Sequence, residues 1–335
     1  MGYQNATCHD LIPWGAVFLT ANTGCETMKN SLVAFGVSLS LAICAQGQVS
    51  GECSLDSNQD GIPDCADLTG QVLVVDDDLQ QAPNADYSQI QEAVAAAQDG
   101  AAILVYPGRY TSASDNVVFV QGKGVQLIGV GGYAETIIDC ENARGGIRAE
   151  ISSTHTLLVH GFTIDSYSGC FSAGGDPPSC NFGLVVVADP GAAATVDSCV
   201  IRNGSGFALG MLGRSANNGD ADLIVRDTMV LNNVGPANSG ADWLMAASYS
   251  TSRFEDCSFI GNIAGQLMLS YWGSTVFADC MFVDNELLPV TGPYGAGTLC
   301  QDPRYSSDIM TIENCRFINS SPGCVVRANG NNAIQ

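Results

Sequence analysis

The densest set of potential ligands in the sequence is the segment Cys53 to Asp67, CSLDSNQDGIPDCAD. From Asp56 it presents oxygen donors at the spacing of a calcium loop. Asp56, Asn58 and Asp60 fall at positions one, three and five, and Gly61 takes the sharp turn at six. Ile62 offers its carbonyl at seven, and Asp64 and Asp67 stand at nine and twelve. Carboxylates and carbonyls in this order suit a large, hard cation, so calcium is the expected cofactor. The twelfth residue is Asp rather than the usual bidentate Glu, which points to weak binding with a dissociation constant of about 0.1 to 1 mM. A Cys53–Cys65 bond would close the same loop and contribute about 3 kcal/mol by restricting the unfolded chain.

Beyond the loop, chemistry-bearing residues are sparse. Arg202 and Arg226 lie on apolar strands near Asp197 and Asp227, while Arg144 and Arg148 follow Asp139. These arginines, with Asp227, are the candidate catalytic residues; the plain alternative is a surface ion pair worth under about 1 kcal/mol. Lys123 is the only lysine after residue 47 and falls in a turn between strands. His155 and His160 share the segment HTLLVH, where strand alternation puts them on opposite faces. Asp76, Asp77 and Asp78 read as a solvated turn. Trp243, Tyr271 and Trp272 would stack on sugar rings if exposed, and otherwise serve packing. The sequence contains no nucleotide-binding glycine string, zinc spacing or nucleophile elbow.

Positioning these residues falls to one helix and many short strands. Asp86 to Gly100 reads DYSQIQEAVAAAQDG, with Ile90, Ala93, Val94 and Ala97 on one helical face. Ser88 and Gln91 have capping-box spacing, and Gly100 supplies a stop. AAILVYPGRY, DNVVFV, GVQLIGV and TIIDC follow as short apolar strands with no helix between them. Then one pattern recurs: TVDSCVIRN, IVRDTMVLNN, RFEDCSFIGN, VFADCMFVDN and TIENCRFIN. Aligning Cys199, Thr228, Cys257, Cys280 and Cys315 gives steps of 29, 29, 23 and 35 residues. Periods in this range mark solenoids.

Stacked coils would set Phe254, Cys257 and Phe259 on Phe277, Cys280 and Phe282, and those on Ile312, Cys315 and Phe317. Asp256 and Asp279 would occupy a corner between sheets. Asn203, Asn232, Asn262, Asn285 and Asn319 would follow the strands, tolerating a left-handed backbone and stacking their amides. The aligned cysteines read as buried small hydrophobes. Cys170 with Cys180, and Cys300 with Cys324, are the disulfide candidates.

Composition agrees with this architecture. Hydrophobic residues make up 46% and charged ones 14%, with 38 glycines, which suits strands, tight turns and stacked apolar side chains. A net charge of -22 repels nucleic-acid phosphates and anionic membranes, so neither is an expected partner. Residues 28–47 combine a Lys29 start, the apolar run SLVAFGVSLSLAICA and small residues around Ala45 and Gly47. That is the form of a signal peptide, too short to span a bilayer, and it leaves residues 1–27 as an upstream leader. Eleven of the 14 cysteines follow residue 47, as an oxidising, extracellular or cell-surface location allows.

Two resemblances follow from these strings. DSNQDGIPDCAD resembles thrombospondin type 3 and dockerin-like calcium repeats. DYSQIQEAVAAAQDGAAILVYPGRYT, TIIDC with LLVHGFTID, and the DC-x-F repeats resemble the pectin-lyase-like right-handed parallel β-helix superfamily over about residues 71–335. This implies an all-β solenoid with an N-terminal capping helix, preceded by a calcium-loop linker at 48–70. The C-terminal end shows no comparable cap, so the solenoid is expected to be incomplete at residue 335. It also implies contact with extracellular polysaccharide or cell-surface glycan, through either of two roles. One is an adhesive, scaffold or carbohydrate-binding part. The other is a lyase or glycoside hydrolase of the pectate-lyase type, with carboxylate-bound calcium acidifying a proton that an Arg removes. The Asn-Thr-Asp and Gly-His-Gly strings of that superfamily's polygalacturonase-like members do not occur, and the adjacent aspartates, Asp76, Asp77 and Asp78, precede the helical segment instead of lying on the coils.

Overall fold

The computed structural model describes residues 68, 70–168, 182–214, 221–235, 243–271, 273–288, 297–301, 310–319 and 324–328. Their strands form a right-handed parallel β-helix of eight coils. Each coil contributes one strand to each of three parallel sheets, here A, B and C, of nine, eight and eight strands. In the sixth coil these are Ser250–Glu255 in A, Ser258–Ile260 in B and Gln266–Tyr271 in C. Val72–Val75 precedes the first coil as the outermost strand of sheet A. Each strand bonds to its counterpart one coil on, so parallel pairing needs no helical crossover.

In-register pairing turns the sequence repeat into ladders. Phe254 pairs with Phe277, and Phe259 with Phe282 and then Phe317. Ring centroids of the stacked pairs are 4.8, 4.7 and 4.7 Å apart, the spacing of neighbouring strands. Each stack adds about 0.5 to 1.5 kcal/mol beyond burial. Cys257, Cys280 and Cys315 form the adjoining column, each Sγ donating to a carbonyl of the preceding coil (Val225, Phe254 and Phe277) at 3.5 Å. Burial pushes the Cys199 thiol up to about 12, so it is a packing group rather than a nucleophile.

The corners explain the recurrent Asp and Asn. Ser198, Asp227, Asp256, Asp279 and Asn314 precede the sheet B strands, and Asn203, Asn232, Gly261, Asp284 and Asn319 follow them. All ten have φ between +47° and +65°, a region in which Asn, Asp and Gly are the least strained residues. The expected single Asn column is in fact two. Asn203, Asn232 and Asn319 are left-handed corners, whereas Asn262 and Asn285 align with Asn233 one place later, buried and amide-stacked. Asn262 Oδ1 accepts from the Asn233 N–H and Nδ2 at 3.0 and 3.1 Å, and Asn262 Nδ2 donates to the Val230 carbonyl at 2.8 Å.

At the N-terminal side the helix α1, Ile90–Ala96, buries Ile90, Ala93 and Val94 in the main core. The capping box does not form: Gln89 is the N-cap and makes no side-chain cap bond. Gln91 instead accepts from the Phe119 N–H at 2.6 Å and donates to the Phe119 carbonyl at 3.2 Å. Phe119 lies in Asn116–Gln121, the outermost strand of sheet C, so the amide takes the place of a further strand. The helix stops well before Gly100. Its last carbonyls, Val94 and Ala97, are bonded by Lys123 Nζ at 3.0 and 2.7 Å, which removes the lysine from the candidate bases. Among the described residues no helix is long and apolar enough to cross a membrane.

Candidate functional site

Sheet A carries a row of ionisable groups on its outer face. Register pairs His160 with Asp197, Asp197 with Arg226 and Arg226 with Glu255. Four consecutive coils therefore hold ionisable groups in one row parallel to the solenoid axis, about 4.8 Å apart. Alternation dictates this, because Val196, Val225 and Phe254, one residue earlier on their strands, point into the core.

His160 Nδ1 lies 2.7 Å from Asp197 Oδ2, and Ser198 Oγ donates to the same oxygen at 3.4 Å. Asp197 is wholly buried, whereas the imidazole keeps 13% of its surface exposed. Asp197 Oδ1 faces Arg226 Nε at 3.8 Å, and neither of these buried atoms has a hydrogen-bond partner. Asp197 therefore lies between a histidine and a guanidinium. With Nδ1 engaged by Asp197, the second ring nitrogen, Nε2, is the one available to a ligand.

Asp227 follows Arg226 at the corner and is half-buried. Burial, then the charges of Asp197 and Asp256, push its carboxyl up to about 6, against the opposing pull of Arg226. Asp256 is raised in the same direction by burial, Asp279 and Glu255. Asp227 can thus hold a proton up to about pH 6, above the range of an isolated aspartate.

The other candidates do not converge here. Arg202 lies on sheet B and bonds Asp165 at 3.2 and 2.9 Å, not Asp197. Burial of Asp165 is outweighed by bonds from Asn203 and Arg202, which hold its carboxyl below the usual range. Arg148 is on sheet C, paired with Glu150 and 5.6 Å from the Phe119 ring centroid. Arg144 pairs with Glu141 at 3.1 Å. They form separate ion pairs rather than one site. His155 precedes the strand Thr156–His160, bonds Ser152 Oγ through Nδ1 and is neither fully buried nor exposed.

Asp76 is no solvated turn: it is fully buried and accepts four backbone N–H groups, from Asp78, Leu79, Gln81 and Ala82. Those bonds outweigh burial and lower its carboxyl. With Asp77 and Asp78 it forms a compact carboxylate cluster, but Asp77 also accepts the Arg109 N–H, so the cluster is bound into the fold. Trp243 is partly buried against Phe182 and Phe207. The Cys300–Cys324 pairing does not fit: Cys300 stands opposite Arg327 and Cys324 opposite Gly297. Three residues of offset separate their Cα atoms by roughly 11 Å, beyond disulfide reach. The calcium loop Asp56, Asn58, Asp60, Ile62, Asp64 and Asp67, together with Cys53, Cys65, Cys170, Cys180 and Trp272, lies outside the described residues.

Sequence reasoning missed His160 and Asp197 as a pair. Aligning VHGFTID (159–165) with VDSCVIR (196–202) sets one over the other, a match hidden by the changed corner residues.

Fold and site together define a right-handed parallel β-helix protein with a charged row on one outer face. No protein-family model matches the chain, and no curated protein matches it. Among solved structures it is similar to a pectin methylesterase from Aspergillus niger at 11% identity and a TM-score of 0.38, covering 78% of this chain and 91% of that one. A pectin methylesterase from Erwinia chrysanthemi is similar at 9% identity and 0.37, with 75% and 80% covered. An alginate lyase from a Paenibacillus species is similar at 11% identity and 0.29, with 72% and 95% covered. At these identities and scores nothing about a site carries over.

Proposed function

We propose that the chain is a secreted β-helix protein that binds extracellular or cell-surface polysaccharide along the outer face of sheet A. The observation that carries this reading is the in-register row His160, Asp197, Arg226 and Glu255. A linear polymer of repeating sugars laid along the axis meets the partly exposed His160, Arg226 and Glu255, which flank the buried Asp197, and multiplied weak contacts give affinity. The 20-residue export-like segment at 28–47 supports the location. Calcium at Asp56, Asn58, Asp60, Ile62, Asp64 and Asp67 would stiffen the linker that precedes the solenoid.

The test is affinity electrophoresis of residues 48–335 in pectate, alginate and neutral glycans, with and without calcium. Retardation by at least one glycan, weakened by Arg226→Gln and Glu255→Gln, is expected. Free migration in every glycan would overturn the proposal. Calcium titration of wild type and Asp60→Ala tests the loop, with a millimolar site expected only in wild type.

A catalytic role is the second reading, favoured by the proton that Asp227 can hold near pH 6.

A further inference from the structure

We infer that His160, Asp197 and Asp227 form an acid–base hydrolytic site for neutral polysaccharide, His160 acting as general base and Asp227 as general acid. The inference rests on the glycan-binding reading and gives that face a reaction and a substrate class.

Three observations lead there. First, the His160 Nδ1–Asp197 Oδ2 contact of 2.7 Å fixes the imidazole through one nitrogen and leaves Nε2 for a ligand. A buried carboxylate behind a partly exposed imidazole orients it and stabilises its protonated form once a proton arrives.

Second, the strand of His160 and the strand leading to Asp227 are two coils apart, since Asp197 pairs with both His160 and Arg226. Two strand steps separate the base and acid backbones by about 10 Å. From backbones that far apart the two side chains can bring their reacting groups to the roughly 6.5 to 9.5 Å that admits a glycosidic bond and a water in inverting hydrolysis.

Third, the local charge is acidic, because Asp227 and Asp256 add to ion pairs that already cancel. Asp197 offsets Arg226, and Glu255 bonds Arg253. With a chain charge of -22 there is no surplus positive charge to hold a uronate. A neutral glycan meets no such penalty.

The step balances without a cofactor. Water attacks the anomeric carbon and gives its proton to His160 Nε2. The anomeric C–O bond breaks as Asp227 delivers its proton to the departing oxygen. The products are a new reducing end with inverted configuration and a new hydroxyl. Solvent returns the proton from His160 to Asp227. Asp197, Asp256, Arg226 and Glu255 face Asp227 electrostatically, so its protonated fraction falls as pH rises through about 6.

The experiment incubates residues 48–335 with neutral glucans, mannans and xylans and with pectate. Reducing ends, anomeric configuration by NMR and uronate absorbance are followed from pH 4 to 8. Expected are inverted reducing ends from a neutral glycan, declining above pH 6. His160→Gln and Asp227→Asn should each lose about 10²- to 10⁴-fold in rate, with Asp227→Asn melting no lower than wild type. His155→Gln should cleave normally. Binding without any product would overturn the hydrolytic inference and leave the binding proposal standing; neither binding nor product would overturn both. Full activity in His160→Gln, or products only from pectate, would also overturn it. Should either variant fail to fold, the wild-type pH profile decides, and activity rising from pH 6 to 8 would refute Asp227 as the acid.

Discussion

Replacing Asn262 with Ala should destabilise the solenoid by about 4 kcal/mol. The side chain is fully buried and makes four bonds: two accepted from Asn233, and two donated, to the Val230 carbonyl and to Asn285 Oδ1. Asn233 Nδ2 keeps its bond to the Ile201 carbonyl, and Asn285 Oδ1 still accepts from the Asn262 N–H. The Val230 carbonyl and the Asn233 N–H therefore bear the loss, each at about 1 to 3 kcal/mol for a buried polar group stripped of its partner. The control is Asn319→Gly, which suits the left-handed φ of 50° and removes one exposed bond to Asp284. It should cost under about 1 kcal/mol. Urea unfolding followed by circular dichroism gives both values from midpoint shifts at constant slope. A loss under about 1 kcal/mol for Asn262→Ala would refute the reasoning, because the ladder would then not be a set of buried, otherwise unsatisfied bonds.

Asp227→Asn tests the raised carboxyl through stability. A folded-state value of about 6 lies above the unfolded value, so wild type gains from protonation at low pH and loses that gain as pH rises from about 4 to 6. The variant should match wild type at pH 4 and melt higher at pH 8, and a lower melting point at pH 8 would contradict this. Lys123→Met removes two bonds to the end of α1 and should cost about 1 to 3 kcal/mol by urea unfolding, with faster hydrogen exchange over residues 90–97. Gly204→Ala puts a methyl 2.0 Å from a ring carbon of buried Tyr167 and should cost about 1 to 3 kcal/mol or more; an unchanged melting point would show that the corner gives way. Gln91→Leu uncovers the Phe119 edge of sheet C and should produce concentration-dependent association in sedimentation velocity, whereas a strictly monomeric variant would argue against edge protection by α1.

The sequence by itself determined the solenoid. Steps of 23 to 35 residues between DC-x-F segments fixed coil length, and the Phe and Cys columns followed because one register satisfies every apolar position at once. The recurrent Asp before Cys257 and Cys280 also located the corner at Asp256 and Asp279. Only the tertiary structure decided which polar groups meet. His160 and Asp197 are 37 residues apart in sequence yet 2.7 Å apart in space, and Arg202 found Asp165 rather than Asp197. Loops of unequal length let the coils stack without marking, in any local string, which outward residue follows which along the axis. Gln91 shows the same limit at short range. Its capping-box spacing was a local signal, and an unpaired strand edge at Phe119, 28 residues on, outcompeted it because an unbonded backbone pair there would cost more than an uncapped helix N–H open to water.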